Sequence, residues 1–93
     1  LGALAATIRQ RRGADPAASY TASLLAAGAA RPGQKVIEEA GETVVAALTG
    51  TDDELAGEAA DLVYHLLVLL AARDVPFGRV LDVLDARRGG SGA

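Results

Sequence analysis

Two glutamate-rich segments hold the residues whose spacing could do chemistry. The first contains Glu38, Glu39 and Glu42, and the second contains Glu58 and Asp61. Residues three or four apart share one face of a helix, so two neighbouring helices would bring four of these carboxylates to one point. Hard cations such as Mg²⁺ bind carboxylate oxygens and keep water positions open for substrate phosphates. We therefore predict a site for Mg²⁺, with Mn²⁺ as a substitute, formed by Glu39, Glu42, Glu58 and Asp61.

Other metal sites fit the composition poorly. The chain has no cysteine and one histidine, which disfavours zinc sites built from thiolates or imidazoles. A di-iron bundle uses Glu-x-x-His, whereas the chain has Glu58-x-x-Asp61. A solvated face would explain the first segment alone. The pattern of the second segment predicts that its carboxylates are partly buried. The stripe of Glu54, Glu58 and Asp61 continues through His65 into an apolar region.

The charges are unevenly distributed. Eight of the 12 acidic residues lie between positions 38 and 61, and no lysine or arginine occurs from 36 to 72. An acidic centre repels nucleic-acid phosphates, so we predict no nucleic-acid partner and a small phosphate-bearing substrate reached by basic residues. No uninterrupted apolar run approaches the roughly 20 residues of a membrane span, and no signal peptide is evident. We predict a cytoplasmic protein that does not bind membranes.

Helix signals dominate the chain and predict an all-α bundle of four to five helices. A first helix ends at Gly13; a second is opened by Asp15-Pro16 and ends at Gly28. Pro32-Gly33 precedes a third helix over residues 34–49. A capping box at Thr51 opens a fourth helix that reaches position 73, and Pro76 opens a fifth that fades at 88–89. We predict one domain over residues 1–88 and a flexible tail over 89–93.

The two central helices differ in their patterns. On the third helix, apolar residues including Ile37, Val44 and Leu48 share one side, and the glutamates share the opposite side. The fourth helix is apolar on every face over residues 62–72. A chain of 93 residues can hardly cover such a helix, so we predict a homodimer with this segment at the interface.

Glu-Glu-x-x-Glu followed by Glu-x-x-Asp on the next helix is similar to the all-α NTP pyrophosphatase (MazG-like) superfamily. The segments 19–21, 35–40 and 58–67 extend the match, and the chain resembles the phosphoribosyl-ATP pyrophosphohydrolase family over roughly residues 4–88. Ile37 departs from the glycine expected there. The resemblance implies Mg²⁺-dependent hydrolysis of phosphoribosyl-ATP to phosphoribosyl-AMP and pyrophosphate, the second step of histidine biosynthesis.

We predict that Glu38, Glu39 or Glu42 orients or deprotonates the attacking water. Glu38 could instead lie exposed or bind a second cation. The candidate substrate-binding residues each have a simpler structural explanation: an ion-pair partner, a helix cap, a buried histidine or a surface arginine. They are Ser19, Thr21, Lys35, His65 and Arg73.

Two rival functions are considered beside this one. A house-cleaning enzyme for dUTP, dCTP or mixed nucleotides would share the metal site and differ in the pocket for the base and sugar. A non-catalytic helical module would use the acidic face to bind a basic partner.

Overall fold

The computed structural model describes residues 1–15 and 19–90, and this part of the chain contains five helices and no strand. The all-α prediction is confirmed. The bounds of the helices are α1 Gly2–Arg11, α2 Tyr20–Ala26, α3 Ala30–Thr49, α4 Asp52–Ala72 and α5 Phe77–Gly90.

The hairpin of α3 and α4 is the frame of the fold. The two helices have 20 and 21 residues and lie side by side. The predicted capping box joins them: the Glu54 N–H donates to Thr51 Oγ1 at 3.1 Å, and the Thr51 N–H donates to Glu54 Oε1 at 2.8 Å. Gly50 permits the tight turn, since a Cβ there would lie 3.0 Å from the Ala46 carbonyl oxygen. This turn sets the register in which carboxylates of α3 face those of α4.

A small apolar core lies between α4 and the two short helices. Ile8 of α1, Leu24 of α2, and Leu67 and Val68 of α4 are at most 3% exposed. Phe77, at the start of α5, packs against the same core. Of the apolar segment over residues 62–72, four residues are therefore buried within the chain and six are partly buried.

The predicted start of the third helix was wrong, and the predicted start of the second helix lies partly outside the described residues. The third helix begins at Ala30 and includes Pro32, because the first turn of a helix has no intrahelical use for the N–H that proline lacks. The break precedes it at Gly28, whose φ is 81°. Ser19 caps α2, its Oγ accepting from the Ala22 N–H at 3.2 Å. Pro16, in the predicted opening of α2, lies outside the described residues.

The fifth helix begins directly after Pro76, as predicted, and extends to Gly90. That end is slightly beyond the predicted one. Residues 91–93 of the predicted tail lie outside the described part of the chain, so the tail stays a prediction.

The apolar face of α3 is exposed, and Glu39 on the opposite face is buried. Ile37, Val44 and Leu48 are 76%, 58% and 78% exposed, while Glu39 on the opposite side is 8% exposed. Amphipathic spacing shows that a helix has two unlike faces and does not show which one meets its neighbour within the chain. The large exposed apolar surface therefore lies on α3 and also on α5, where Leu81 and Leu84 are exposed, rather than on residues 62–72.

Helix α4 is long and apolar enough to cross a membrane by length and composition alone, with a mean hydropathy of 1.6 over its most apolar window. This is weak evidence, since the core helix of a bundle meets the same criterion. Here α4 packs against α1, α2 and α3.

Candidate active site

Three carboxylates converge between the long helices. One oxygen each of Glu39, Glu58 and Asp61 lies within 4.8 Å of the other two. Glu39 projects from the buried face of α3, and the other two lie one turn apart on α4. Glu42 lies one turn along α3, close enough for its carboxyl group to hydrogen-bond with that of Glu39. The structure thus brings together the four predicted ligands, and we call these residues the acidic cluster.

Two oxygens of the acidic cluster are buried without a donor. They are Glu39 Oε2 and Glu58 Oε2. A carboxylate accepts hydrogen bonds and donates none, so neighbouring carboxyl groups can bond to each other only if one carries a proton. Leaving such oxygens buried and unsatisfied is costly. A hard divalent cation would satisfy both, and an all-oxygen donor set on two facing helices suits Mg²⁺.

The protonation behaviour of the cluster agrees with this crowding. A hydrogen bond with Glu42, burial, and repulsion from Glu42 and Asp61 raise the pKa of Glu39 from 4.5 to about 7, while Lys35 opposes the shift. Burial, followed by repulsion from Glu42, also raises the pKa of Glu58. Without a cation, the cluster is therefore partly protonated near neutral pH.

A groove extends from the acidic cluster along α3 and α4 to the turn at Gly50. Its volume is about 1010 Å³, at the upper end of the range of small-molecule sites. Glu38, Glu42 and Glu54 line it, together with Gly41 and Gly57, where the missing side chains leave open space. The groove has room for a nucleotide-sized ligand beside the acidic cluster.

Lys35 is the basic residue that contacts the edge of the cluster. Its Nζ lies 3.7 Å from Glu38 Oε1 and 3.9 Å from Glu39 Oε1. Glu38 also accepts a long hydrogen bond from Gln34 Nε2 at 3.5 Å. Its side chain is 47% exposed, so Glu38 lies at the rim of the groove and outside the buried set of carboxylates.

A second polar cluster lies further along α4, and its groups are paired. His65 Nδ1 is 2.7 Å from the Asp61 carbonyl oxygen, which can only accept, so Nδ1 carries a proton. In neutral His65, Nε2 then accepts from the Tyr20 hydroxyl at 3.0 Å. Thr21 and Tyr64 share a short hydroxyl–hydroxyl hydrogen bond. We call Tyr20, Thr21, Tyr64 and His65 the aromatic cluster; it holds α2 against α4.

The comparisons with known proteins agree with this geometry. A family described as phosphoribosyl-ATP pyrophosphohydrolase matches residues 1–88. The chain belongs to this family. It is 59% identical to a phosphoribosyl-ATP pyrophosphatase of Novosphingobium aromaticivorans, over 99% of this chain and 86% of the relative. It is 60% identical to one of Erythrobacter litoralis, over 96% and 86%, and 53% identical to one of Cereibacter sphaeroides, over the same shares. The predicted family is confirmed.

Within this member of the phosphoribosyl-ATP pyrophosphohydrolase family, three other predicted substrate-binding residues have hydrogen-bond partners inside the chain. His65 is 6% exposed with both ring nitrogens engaged. Thr21 is bonded to Tyr64, and Ser19 caps α2. The geometry favours structural roles for these three residues over direct contact with a substrate.

Arg73 is distant from the acidic cluster in this chain. It follows Asp61 by 12 positions on α4, or about 18 Å at 1.5 Å per residue. Arg12 lies at the same end, where it donates to the Ala71 carbonyl oxygen at 2.7 Å and pairs with Asp74. Lys35 is thus the one predicted basic contact that the fold places beside the carboxylates.

The sequence pattern assigned Tyr20 no role, although its hydroxyl hydrogen-bonds to Nε2 of His65 at 3.0 Å. The segment Ser19-Tyr20-Thr21 matched the family pattern, and this resemblance was the one indication that Tyr20 has a role. Tyr20 is the first residue of α2. Its partner His65 lies 45 positions away in the sequence, and helical spacing does not predict a contact over that separation.

Proposed function

We propose that this chain is a Mg²⁺-dependent hydrolase that converts phosphoribosyl-ATP to phosphoribosyl-AMP and pyrophosphate, the second step of histidine biosynthesis. The observation that carries the proposal is the acidic cluster, with two buried oxygens that lack a donor. It occurs in a chain that matches the family over residues 1–88. A paired surface patch of carboxylates would have no such unsatisfied oxygens.

Glu39, Glu42, Glu58 and Asp61 would hold Mg²⁺, or Mn²⁺ in its place. When bound, the cation supplies positive charge against the phosphate oxygens of the substrate. The protein fixes the four carboxylates in advance by packing α3 against α4 and by closing the turn with the capping box. This preorganisation limits the rearrangement that cation binding requires.

The attacking water would lie in the groove beside the glutamates of α3. Glu38 and Glu42 are exposed there, within reach of a ligand, so either could orient the water or accept its proton. This role depends on hydrogen-bond reach more than on an unusual pKa. Glu39 is buried within the cluster, which suits a ligand better than a general base.

Lys35 would contact a substrate phosphate from the edge of the acidic cluster, where its charge also offsets Glu38 and Glu39. Ser19, Thr21 and His65 would act indirectly, by holding α2 and the aromatic cluster in place. Arg73 would need a second protomer to reach the acidic cluster.

We further propose a cytoplasmic homodimer that binds neither membranes nor nucleic acid. The exposed apolar residues of α3 and α5 support the dimer, because monomeric soluble proteins rarely leave large contiguous apolar patches uncovered. The acidic surface around the groove argues against nucleic-acid binding.

A pyrophosphate-release assay that compares phosphoribosyl-ATP with dUTP, dCTP and ATP, with Mg²⁺ and with EDTA, tests the proposal. We expect pyrophosphate from phosphoribosyl-ATP alone, and only with the cation. Preference for dUTP or dCTP would replace the proposal with the house-cleaning function. No turnover of any of the four, with salt-sensitive binding of a basic polypeptide, would replace it with the interaction module.

A further inference from the structure

A second cavity lies at the end of α4 opposite the turn at Gly50. It is bounded by α1, by the last turns of α4 and by the start of α5, and its volume is about 540 Å³. That volume is within the range of small-molecule sites. Ala71, in its wall, follows Asp61 by 10 positions on α4, or about 15 Å along the helix. The cavity is therefore separate from the groove beside the acidic cluster.

The inner wall of this cavity is apolar. Ala5 of α1 and Leu67 and Ala71 of α4 are buried there. Val75 and Phe77 close the cavity where α4 turns into α5, and both are partly buried. Because removing apolar surface from water is favourable, this wall favours a ligand with an apolar body over an inorganic ion.

The mouth of the cavity carries positive charge. Arg9, Arg12 and Asp74 line it. Arg12 donates to the Ala71 carbonyl oxygen at 2.7 Å and pairs with Asp74, whereas Arg9 has no ion pair within residues 1–15 and 19–90. Two guanidinium groups and one carboxylate leave one net positive charge, at Arg9.

The backbone at Asp74 shows what its side chain contributes. Its φ is 58°, in the left-handed region that favours glycine at the end of a helix. The Asp74 N–H donates to the Ala71 carbonyl oxygen at 3.1 Å and the Val75 N–H to that of Leu70 at 3.0 Å, the two hydrogen bonds of a Schellman motif. Glycine would form this turn without strain. What glycine could not supply is the carboxylate that holds Arg12 at the mouth.

We propose that this cavity binds a small organic monoanion, with its carboxylate at Arg9 and an apolar body against the inner wall. A guanidinium group binds a carboxylate through two parallel hydrogen bonds. The single net charge of the mouth favours a monoanion over a polyphosphate, which Asp74 would repel. Binding here requires neither Mg²⁺ nor the acidic cluster.

Titration of the ¹⁵N-labelled chain with phenylacetate, followed by its amide NMR signals, tests the site. We expect saturable shifts at Leu70, Ala71 and Phe77, and Arg9→Gln should weaken binding at least about tenfold, since it removes a charged hydrogen-bond donor. Arg11→Gln is the matched control and should bind as the wild type does. Arg11 lies in the same last turn of α1 and is not among the described residues that line the cavity. Equal affinities in the two variants, or no saturable shift at the three residues, would overturn the proposal.

Two further probes separate charge from shape. Phenylacetamide keeps the ring without the charge and should bind at least about tenfold more weakly than phenylacetate. Inorganic phosphate keeps the charge without the ring and should give no saturable shift at the cavity. Phenylacetamide or phosphate binding as tightly as phenylacetate would overturn the assigned class of ligand.

Magnesium distinguishes this site from the acidic cluster. The affinity for phenylacetate should be the same with excess Mg²⁺ and with EDTA, because the cavity lies about 15 Å from the acidic cluster. Binding that requires Mg²⁺ would place the carboxylate on a cation at the acidic cluster. That result would overturn the second site and leave the proposed function standing.

Discussion

The two polar clusters of α4 lie close together and differ in one respect. In the aromatic cluster, both nitrogens of His65 and the Thr21 and Tyr64 hydroxyls have partners. In the acidic cluster, two buried carboxylate oxygens have none. A fully paired polar network rigidifies a core, whereas unsatisfied buried oxygens indicate a missing ligand or proton. This difference favours a structural role for the aromatic cluster and cation binding for the acidic cluster.

The largest expected effect is on turnover when the acidic cluster loses a ligand. Asp61→Ala should lower pyrophosphate release by more than about a hundredfold, since even outer contacts of a metal site cost 10- to 100-fold. Circular dichroism should show an intact helical fold, because Asp61 is exposed. Asp53→Asn, an exposed acidic residue of α4 that does not line the groove, is the matched control and should retain activity. Wild-type turnover in Asp61→Ala would remove the acidic cluster from the mechanism.

Substitution in the aromatic cluster should lower stability and leave turnover nearly unchanged. Tyr20→Phe removes the hydroxyl that donates to His65 and should cost about 1 kcal/mol of stability, the usual net value of a hydrogen bond. For a domain of this size that corresponds to a Tm lower by roughly 4–8 °C. Thermal melts and initial rates at saturating Mg²⁺ measure the two effects. A large loss of turnover without a change in Tm would show that Tyr20 takes part in the reaction, and the two clusters would then not differ in role.

The third expected effect is the pH dependence of the metal-free protein. The pKa of Glu39 is raised to about 7 in the folded state, so its favourable contribution is full below the unfolded value near 4.5 and is lost as the pH rises through 7. Without a cation, the Tm should fall between pH 5 and pH 8, and Glu39→Gln should reduce that fall. Melts in EDTA across this range measure it. An equal fall in wild type and Glu39→Gln would show that Glu39 is not the group responsible.

The sequence predicted the parts that depend on local spacing. The capping box at Thr51 and the i, i+3 pairs of carboxylates are local patterns, and the structure bears out both the box and the approach of Glu39 to Glu58 and Asp61. The resemblance of the longer segments to a known family predicted the family, and the comparisons confirm it. Which face of α3 is buried could not be read from spacing, because the apolar and acidic faces fit a 3.6-residue period equally well. The choice depends on what covers the outer face.

Contacts between distant segments were also beyond the local patterns. The pairing of Tyr20 with His65 joins residues 45 positions apart, and Arg73 was predicted as a phosphate contact by charge alone. The distance of Arg73 from the acidic cluster follows from the length of α4, which was predicted correctly from the capping box and the apolar pattern. The role of Arg73 in substrate binding stays a prediction.

Calorimetric titration of Mg²⁺ at pH 7, in two buffers with different heats of ionisation, tests the central claim most directly. If the acidic cluster is the metal site, the cation must displace the proton that Glu39 shares within the cluster. The account predicts binding with the release of about half a proton per site, because the pH then lies near the pKa of about 7 for Glu39. Glu39→Gln should bind more weakly and release almost none. Binding with no proton release in the wild type, or equal affinity in Glu39→Gln, would contradict the account.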